Sequence, residues 1–186
     1  MGLPDRKLRG VFLGTIAILC FYQIHAWGGE KMEIQSSAFK DGEKIPIPYV
    51  MVAAGGKNLS LPLSWKNIPP GTKSFALSMV DPHPVAQNWV HWFVIDIPAD
   101  TTSLPEGASR KKMPPGATEL RNSFGDVGYG GPQPPKGSGE HPYVLTLYAL
   151  NVEKVELGAN TSLAAFKKMV EGKAIQSASI TGKYER

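Results

Sequence analysis

Hydrophobic residues cluster or alternate over six short stretches of this chain, each bounded by glycine, proline or polar turn residues. Short apolar runs and alternation with a period of two are patterns of β-strands. The predicted strands are residues 31–39, 61–65, 74–80, 89–97, 143–149 and 174–184. The stretches 74–80 and 89–97 are almost continuously apolar, which is typical of strands covered on both faces, so we expect them to be central.

One later stretch has a helical period instead. Leu163, Phe166 and Val170 recur at a spacing of three or four residues and would form one apolar stripe. Thr161 is placed to cap the first turn, and Gly172 is placed to end the helix. The sequence therefore predicts a helix close to the C-terminus.

Proline is concentrated in the middle of the chain. All prolines beyond residue 26 lie between Pro46 and Pro142. Because proline interrupts helices, this region is expected to consist of strands and ordered loops. The pattern as a whole predicts a mainly β fold, a β-sandwich with one or two peripheral helices.

The first 26 residues have a different character. A basic segment that ends at Arg9 precedes the uncharged stretch 11–22, and a cleavage site of tolerable sequence ends at Ala26. This is the layout of a secretory signal peptide. We predict a signal peptide at residues 1–26 and a single domain at 27–186, exported to the periplasm or secreted.

Two alternatives remain for this N-terminal segment. The first is an uncleaved membrane anchor, although the apolar stretch is shorter than the roughly 20 residues that cross a bilayer. The second is a lipoprotein, which is disfavoured because Leu19 precedes Cys20 where a small residue is expected.

Composition narrows the function once the leader is set apart. The chain has 186 residues, a net charge of +4 and one cysteine, Cys20. Removing residues 1–26 removes that cysteine and leaves a charge of +2. A thiol nucleophile, a disulfide framework and a multi-cysteine metal site are then excluded. The nearly neutral charge also argues against nucleic-acid binding, and no cofactor is expected.

Three histidines follow the leader, and all lie in two proline-rich segments, 81–91 and 128–143. Asp81 ends one predicted strand and His91 lies early in the next, so the loop between them is expected to return the carboxylate to the imidazole. Such a contact favours the protonated imidazole, which would then donate an N–H to an anion.

Other residues of these segments complete a candidate pocket. Tyr143 offers a hydroxyl donor, and the glycines within 128–131 allow backbone N–H groups to approach a ligand. The prolines that follow stiffen the rim, and Trp89 and Trp92 supply an apolar wall. The sequence therefore predicts a small anion pocket with one apolar side.

Two ordered motifs in these segments carry a family resemblance. The first begins with the Asp-Pro pair at Asp81 and ends at His91. The second is Gly130-Gly-Pro-Gln-Pro-Pro-Lys-Gly, followed by His141 and Tyr143. Over roughly residues 30–186 the chain resembles the phosphatidylethanolamine-binding protein family, in its compact bacterial and archaeal branch, often labelled Raf-kinase-inhibitor-like.

The resemblance implies a sandwich of one large central sheet and one smaller sheet, with a pocket for phosphate-type anions and phosphorylated head groups. It implies no general catalytic activity and no metal. The pocket residues carried over by position are Asp81, His91, His141 and Tyr143, with Trp89, Gly131, Pro134 and Pro135 shaping the pocket.

The chain departs from the family pattern in the first motif. The family commonly has a second Asp two positions after the first and a Pro two positions further on. Here those places are His83 and Val85, and Pro84 comes one residue early. The rim is therefore less acidic, which favours anions if His83 faces the pocket.

The resulting hypothesis is an exported, non-enzymatic binding protein for phosphate or for a phosphorylated small molecule or lipid head group, which also modulates another protein. An interaction protein that inhibits a protease or kinase through its proline-rich rim is the alternative. A metal-dependent hydrolase built on the histidines and Asp81 is a second alternative, for which the metal-ligand spacing is absent. The expected state is a monomer or homodimer.

Overall fold

The computed structural model describes residues 1–2 and 30–186, so nearly all of the predicted signal peptide lies outside the described residues. The strands are β1 (Glu33–Gln35), β2 (Leu63–Lys66), β3 (Ser74–Asp81), β4 (Trp89–Pro98), β5 (Ser103–Leu104), β6 (Thr118–Glu119), β7 (His141–Leu150) and β8 (Ala174–Tyr184). Helix α1 is Leu163–Val170, and 3-10 turns lie at Ile47–Tyr49 and Val52–Ala54. In this part of the chain no helix has both the length and the apolar character needed to span a bilayer.

The strands form two antiparallel sheets. The smaller sheet has the order β1-β2-β5, and the larger has the order β6-β4-β3-β7-β8. In the larger sheet Asp81 at the end of β3 is paired with Trp89 on β4, and Val80 is paired with Val144 on β7. This register brings the end of β3 and the starts of β4 and β7 together at one end of the sheet.

The main hydrophobic core lies between the two sheets. Trp65 of β2 meets Phe75 of β3 edge to face, with ring centroids 5.5 Å apart, and both are buried. A second cluster fills the opposite face of the larger sheet, where α1 packs Phe166 flat against Phe93 at 4.3 Å. The predicted mainly β sandwich is confirmed.

Burial on both faces explains why β3 and β4 have nearly continuous apolar sequences. Seven of the eight β3 residues are buried, and β3 occupies the centre of the larger sheet. The prediction that these two stretches are central is confirmed. The first predicted strand, 31–39, is reduced to Glu33–Gln35, and the two-residue strands β5 and β6 were not predicted.

The predicted helix is present, but its cap is one residue later than expected. Ser162 Oγ accepts the backbone N–H of Ala165 at 3.2 Å, whereas the Thr161 hydroxyl donates to the carbonyl of Gly158. Gly172 follows the helix with a φ of +76°, a left-handed conformation that glycine adopts without steric cost. The predicted C-terminal end is therefore confirmed.

Replacing Phe166 by alanine tests how α1 is anchored to the sheet. We expect Phe166→Ala to lower the free energy of unfolding by about 3–5 kcal/mol, because the ring is fully buried against Phe93. Urea unfolding measures this change. Lys168→Ala, on the exposed side of α1, is the matched control and should change stability by less than about 0.5 kcal/mol. Equal effects would contradict this anchoring.

Candidate functional site

A cavity of about 230 Å³ opens at the end of the larger sheet where β3 ends and β4 and β7 begin. Seven of the eight predicted pocket residues line it: Asp81, Trp89, His91, Pro134, Pro135, His141 and Tyr143. Four further residues line it that were not predicted, namely Val85, Ala86, Phe124 and Gln133. The two proline-rich segments therefore do converge, as the sequence predicted.

Gly131 is not among the lining residues, and its place in the fold is different. A Cβ at this position would lie 2.2 Å from the carbonyl oxygen of Tyr49. The Gly131 N–H donates to Asn58 Oδ1 at 2.7 Å. Gly131 thus permits close backbone packing behind the cavity, and does not itself present a group to a ligand.

Phe124 is the main aromatic residue of the cavity that the sequence analysis did not single out. Its ring meets those of Trp89 and His91 edge to face, at 5.4 and 5.5 Å. Asn122 holds the turn by accepting the Phe124 N–H at 2.9 Å. A Cβ on Gly130 would lie 2.6 Å from the Phe124 ring, so this glycine admits the aromatic side chain. The segment 121–125 belongs to the part of the chain that resembles the family, and this resemblance was the feature of the sequence that could have indicated Phe124.

A carboxylate–imidazole contact lies at the centre of the site. Asp81 Oδ2 is 2.6 Å from His141 Nδ1, and both side chains are buried. The other carboxylate oxygen of Asp81 accepts the backbone N–H of His83 at 2.9 Å. The prediction that Asp81 contacts His91 is therefore wrong, because the carboxylate is taken by the histidine that starts β7.

His91 is held by the backbone instead. Its Nδ1 lies 2.6 Å from the carbonyl oxygen of Gly130. A carbonyl only accepts hydrogen bonds, so the network assigns the hydrogen to Nδ1. Nε2 has no hydrogen-bond partner among residues 30–186, and the ring lines the cavity.

The protonation state of His91 also differs from expectation. Burial lowers the pKa of His91 to about 4, even though the Gly130 carbonyl and the Asp81 carboxylate act in the opposite direction. The imidazole is consequently neutral at pH 7. The prediction of a protonated imidazole that donates to an anion is wrong, because the cost of desolvating the cation outweighs the nearby negative charge. With Nδ1 protonated, Nε2 presents a lone pair.

Tyr143 contributes a buried hydroxyl whose hydrogen-bonding capacity is unused. The side chain is 0% exposed, and the hydroxyl has no hydrogen-bond partner within the described part of the chain. Burial raises the pKa of Tyr143 well above its usual range, and the Asp81 carboxylate raises it further. The phenol therefore stays protonated and remains a hydrogen-bond donor. Its ring packs against His91, with ring centroids 5.0 Å apart.

His83, the departure from the family pattern, does not line the cavity. Its ring stacks on that of His141, with centroids 3.8 Å apart and planes 22° from parallel. Its Nδ1 accepts the N–H of Val85 at 3.3 Å, which stabilises the turn after β3. His83 thus covers one face of the His141 ring rather than facing a ligand.

The charges of the cavity wall are few. Asp81 is the one carboxylate that lines it, and neither lysine nor arginine is among the lining residues. The described residues contain no group of three histidine, cysteine, aspartate or glutamate side chains that could hold a metal ion. The histidines and Asp81 therefore give the metal-dependent alternative no ligand set.

Comparison with known proteins agrees with this geometry. A sequence model described as phosphatidylethanolamine-binding protein matches residues 35–185. The chain belongs to the phosphatidylethanolamine-binding protein family. The matched region contains every residue that lines the cavity.

Individual relatives extend the similarity across most of the chain. A UPF0098 protein of Aquifex aeolicus is 38% identical over 170 residues, which span 91% of this chain and 98% of that protein. The UPF0098 protein YbcL of Escherichia coli is 40% identical over 159 residues, or 82% of this chain and 87% of YbcL. The crystal structure of YbcL, described as a member of the mammalian PEBP family, superposes with a TM-score of 0.79. That match covers 84% of this chain and 99% of the YbcL structure.

Acidification tests the neutral state of His91. The pKa of His91 is about 4 in the folded protein, against 6.5 for an ordinary histidine. Between these values only the unfolded chain binds the proton, so stability should fall as the pH drops from 6.5 to 4 and be unaffected by this group above 6.5. The slope from His91 is up to about 1.4 kcal/mol per pH unit.

Urea unfolding at several pH values measures this loss. His91→Gln removes the titrating group, so its stability should decline less steeply over the same interval, whatever its stability at pH 7. NMR of the wild-type imidazole gives a direct check. A His91 ring that takes up its proton near pH 6.5 in the folded protein would contradict the assignment.

Proposed function

We propose that this chain is an exported binding protein for a small phosphate-bearing group, either free or as part of a phosphorylated head group. The ligand occupies the cavity at the end of the larger sheet. The observation that carries the proposal is the buried hydroxyl of Tyr143, which has no partner among the described residues. Leaving such a group unsatisfied costs about 1–3 kcal/mol, and a ligand oxygen placed in the cavity relieves that cost.

The shape of the cavity supports a small polar group attached to a less polar remainder. A volume of about 230 Å³ suits a phosphate with a short substituent. Part of the wall is aromatic and apolar, formed by Phe124, Pro134 and Trp89, and Trp89 is 38% exposed. Such a wall can pack against the carbon atoms of a head group.

Export is proposed from the N-terminal sequence, where a basic segment precedes an uncharged stretch of signal-peptide length. A relative adds support. The putative lipoprotein LppC of Mycobacterium tuberculosis is 38% identical over 123 residues, which cover 66% of this chain and 57% of LppC.

A binding role is favoured over catalysis because most acid–base atoms of the cavity are already engaged, the exceptions being His91 Nε2 and the Tyr143 hydroxyl. His141 Nδ1 is paired with Asp81, and His91 Nδ1 is bonded to a backbone carbonyl. No side chain is placed as a nucleophile beside a base in the cavity. A second protein that the chain modulates would then respond to whether the pocket is occupied.

Tyr143→Phe tests the proposal through one atom. We expect the variant to bind inorganic phosphate and phosphorylethanolamine about tenfold more weakly, because one hydrogen bond to the ligand is lost. Its stability should be equal or higher, since the hydroxyl has no hydrogen-bond partner among the described residues. Isothermal titration calorimetry gives the affinity and urea unfolding gives the stability.

Tyr148→Phe is the matched control. Tyr148 lies on the same strand, β7, but packs on the opposite face of the sheet beside Phe166. This variant should bind both ligands as the wild type does. Unchanged affinity in Tyr143→Phe, or no binding by the wild type at millimolar ligand, would overturn the proposal. Retained capture of a protein partner by Tyr143→Phe would instead assign that interaction to the rim.

A further inference from the structure

The polar groups of the cavity are not all hydrogen-bond donors, which is unusual for a site that takes an anion. The Tyr143 hydroxyl is a donor, and the neutral His91 offers the Nε2 lone pair, an acceptor. Asp81 adds a carboxylate, and no lysine or arginine lines the wall. A fully deprotonated anion would therefore meet the His91 lone pair, and neither lysine nor arginine lies in the wall to compensate for that mismatch.

The hydrogen-bond partners of His141 show that it has no hydrogen to give a ligand. Its Nε2 lies 2.8 Å from Ser138 Oγ, which is itself 2.7 Å from the carbonyl oxygen of Pro135. That carbonyl only accepts, so the single hydroxyl hydrogen of Ser138 goes to Pro135, and His141 Nε2–H must donate to Ser138. A further hydrogen lies between His141 Nδ1 and Asp81.

The pair of Asp81 and His141 therefore carries two hydrogens and is neutral overall. Each imidazole nitrogen is used, and each carboxylate oxygen accepts one hydrogen bond, from His141 or from the His83 N–H. The titratable groups that face His91 are thus Asp81 from β3 and His141 and Tyr143 from β7. Among the buried groups of the wall this leaves one free donor, on Tyr143, and one free acceptor, on His91. The half-buried amide of Gln133 also lines the cavity.

We propose that the pocket selects a phosphate group that still carries a hydrogen. One P–O–H of the ligand donates to His91 Nε2, while an unprotonated phosphate oxygen accepts from the Tyr143 hydroxyl. This inference rests on the proposed function and names the form of the ligand. The pocket then prefers a hydrogen phosphate, free or as a singly charged monoester, over three groups without such a hydrogen: the dianion of a monoester, a phosphodiester and sulfate.

The physical basis is the penalty for mismatched hydrogen bonding in a buried site. A ligand without the hydrogen places an oxygen lone pair against the lone pair of His91 Nε2. Sites built around one hydrogen bond reject analogues that lack it much more strongly than apolar pockets reject a change of size. We expect at least about a 30-fold weaker affinity for the analogues that have no P–O–H.

Calorimetry on the wild-type protein tests this with four probes. They are inorganic phosphate, methyl phosphate, dimethyl phosphate and sulfate, each titrated at pH 5.5 and 8.5. The first two should bind at pH 5.5, and the last two should bind at least about 30-fold more weakly at both pH values. Methyl phosphate stands for a free monoester, and dimethyl phosphate stands for the diester of a phospholipid head group.

The second readout is proton uptake. The second pKa of a phosphate ester is about 6, so at pH 8.5 the free ligand is mainly the dianion. Binding of methyl phosphate in its protonated form should then take up close to one proton per site, and at pH 5.5 it should take up only about a quarter of a proton. Inorganic phosphate is not used for this readout, because its dianion keeps one P–O–H. Titration in two buffers of different ionisation enthalpy measures this number.

The outcomes separate the two proposals. If no phosphate compound binds at either pH, both proposals fail. If phosphate binds but sulfate or dimethyl phosphate binds equally well, or if methyl phosphate binds at pH 8.5 without proton uptake, only the selection of a protonated ligand fails. Sulfate that binds with uptake of one proton would place that hydrogen on His91 and would also overturn the inference.

Discussion

The contact between Asp81 and His141 is the interaction on which the rest of the site depends. It joins the end of β3 to the start of β7 through two buried side chains 2.6 Å apart. Losing either partner would leave a buried polar group uncompensated, which is far more costly than losing a surface ion pair. Since this pair uses the carboxylate, His91 is left to a backbone carbonyl, and that bond sets its tautomer.

The backbone at residues 129–131 lies behind the residues that line the cavity, and it provides the hydrogen-bond partner of His91. The Gly130 carbonyl accepts a hydrogen bond from His91, and the neighbouring Tyr129 carbonyl accepts one from the Arg110 side chain. Side chains at the two glycines would collide with Phe124 and with the backbone of Tyr49. Glycine is therefore required at positions 130 and 131 because other residues approach the backbone closely, Phe124 at the first and the Tyr49 backbone at the second.

The sequence predicted the fold, and seven of the residues that it predicted for the site line one cavity, but the pairing among them was not predicted. Continuous apolar runs identified β3 and β4 because both faces of the larger sheet are covered, whereas two-residue strands such as β5 have no period to detect. The motifs brought Asp81, His91 and Tyr143 together correctly. The partner of Asp81 depended on long-range register between β3 and β7, and the charge of His91 depended on its burial. Neither the partner of Asp81 nor the charge of His91 can be predicted from the spacing of residues along the chain.

The cavity wall has neither lysine nor arginine, and the charges of Asp81 and His141 offset one another. The match of hydrogen-bond donors to acceptors therefore matters for the proposed recognition alongside charge. In such a site each additional negative charge matters, because no lysine or arginine in the wall offsets it. The family commonly has a second carboxylate where this chain has His83, which stacks on His141 instead. This replacement removes one negative charge next to the Asp81–His141 pair while still covering the imidazole. The Asp81–His141 pair and His91 are each neutral overall, so the proposed selection depends on where the hydrogens of the site lie as well as on the charge of the ligand.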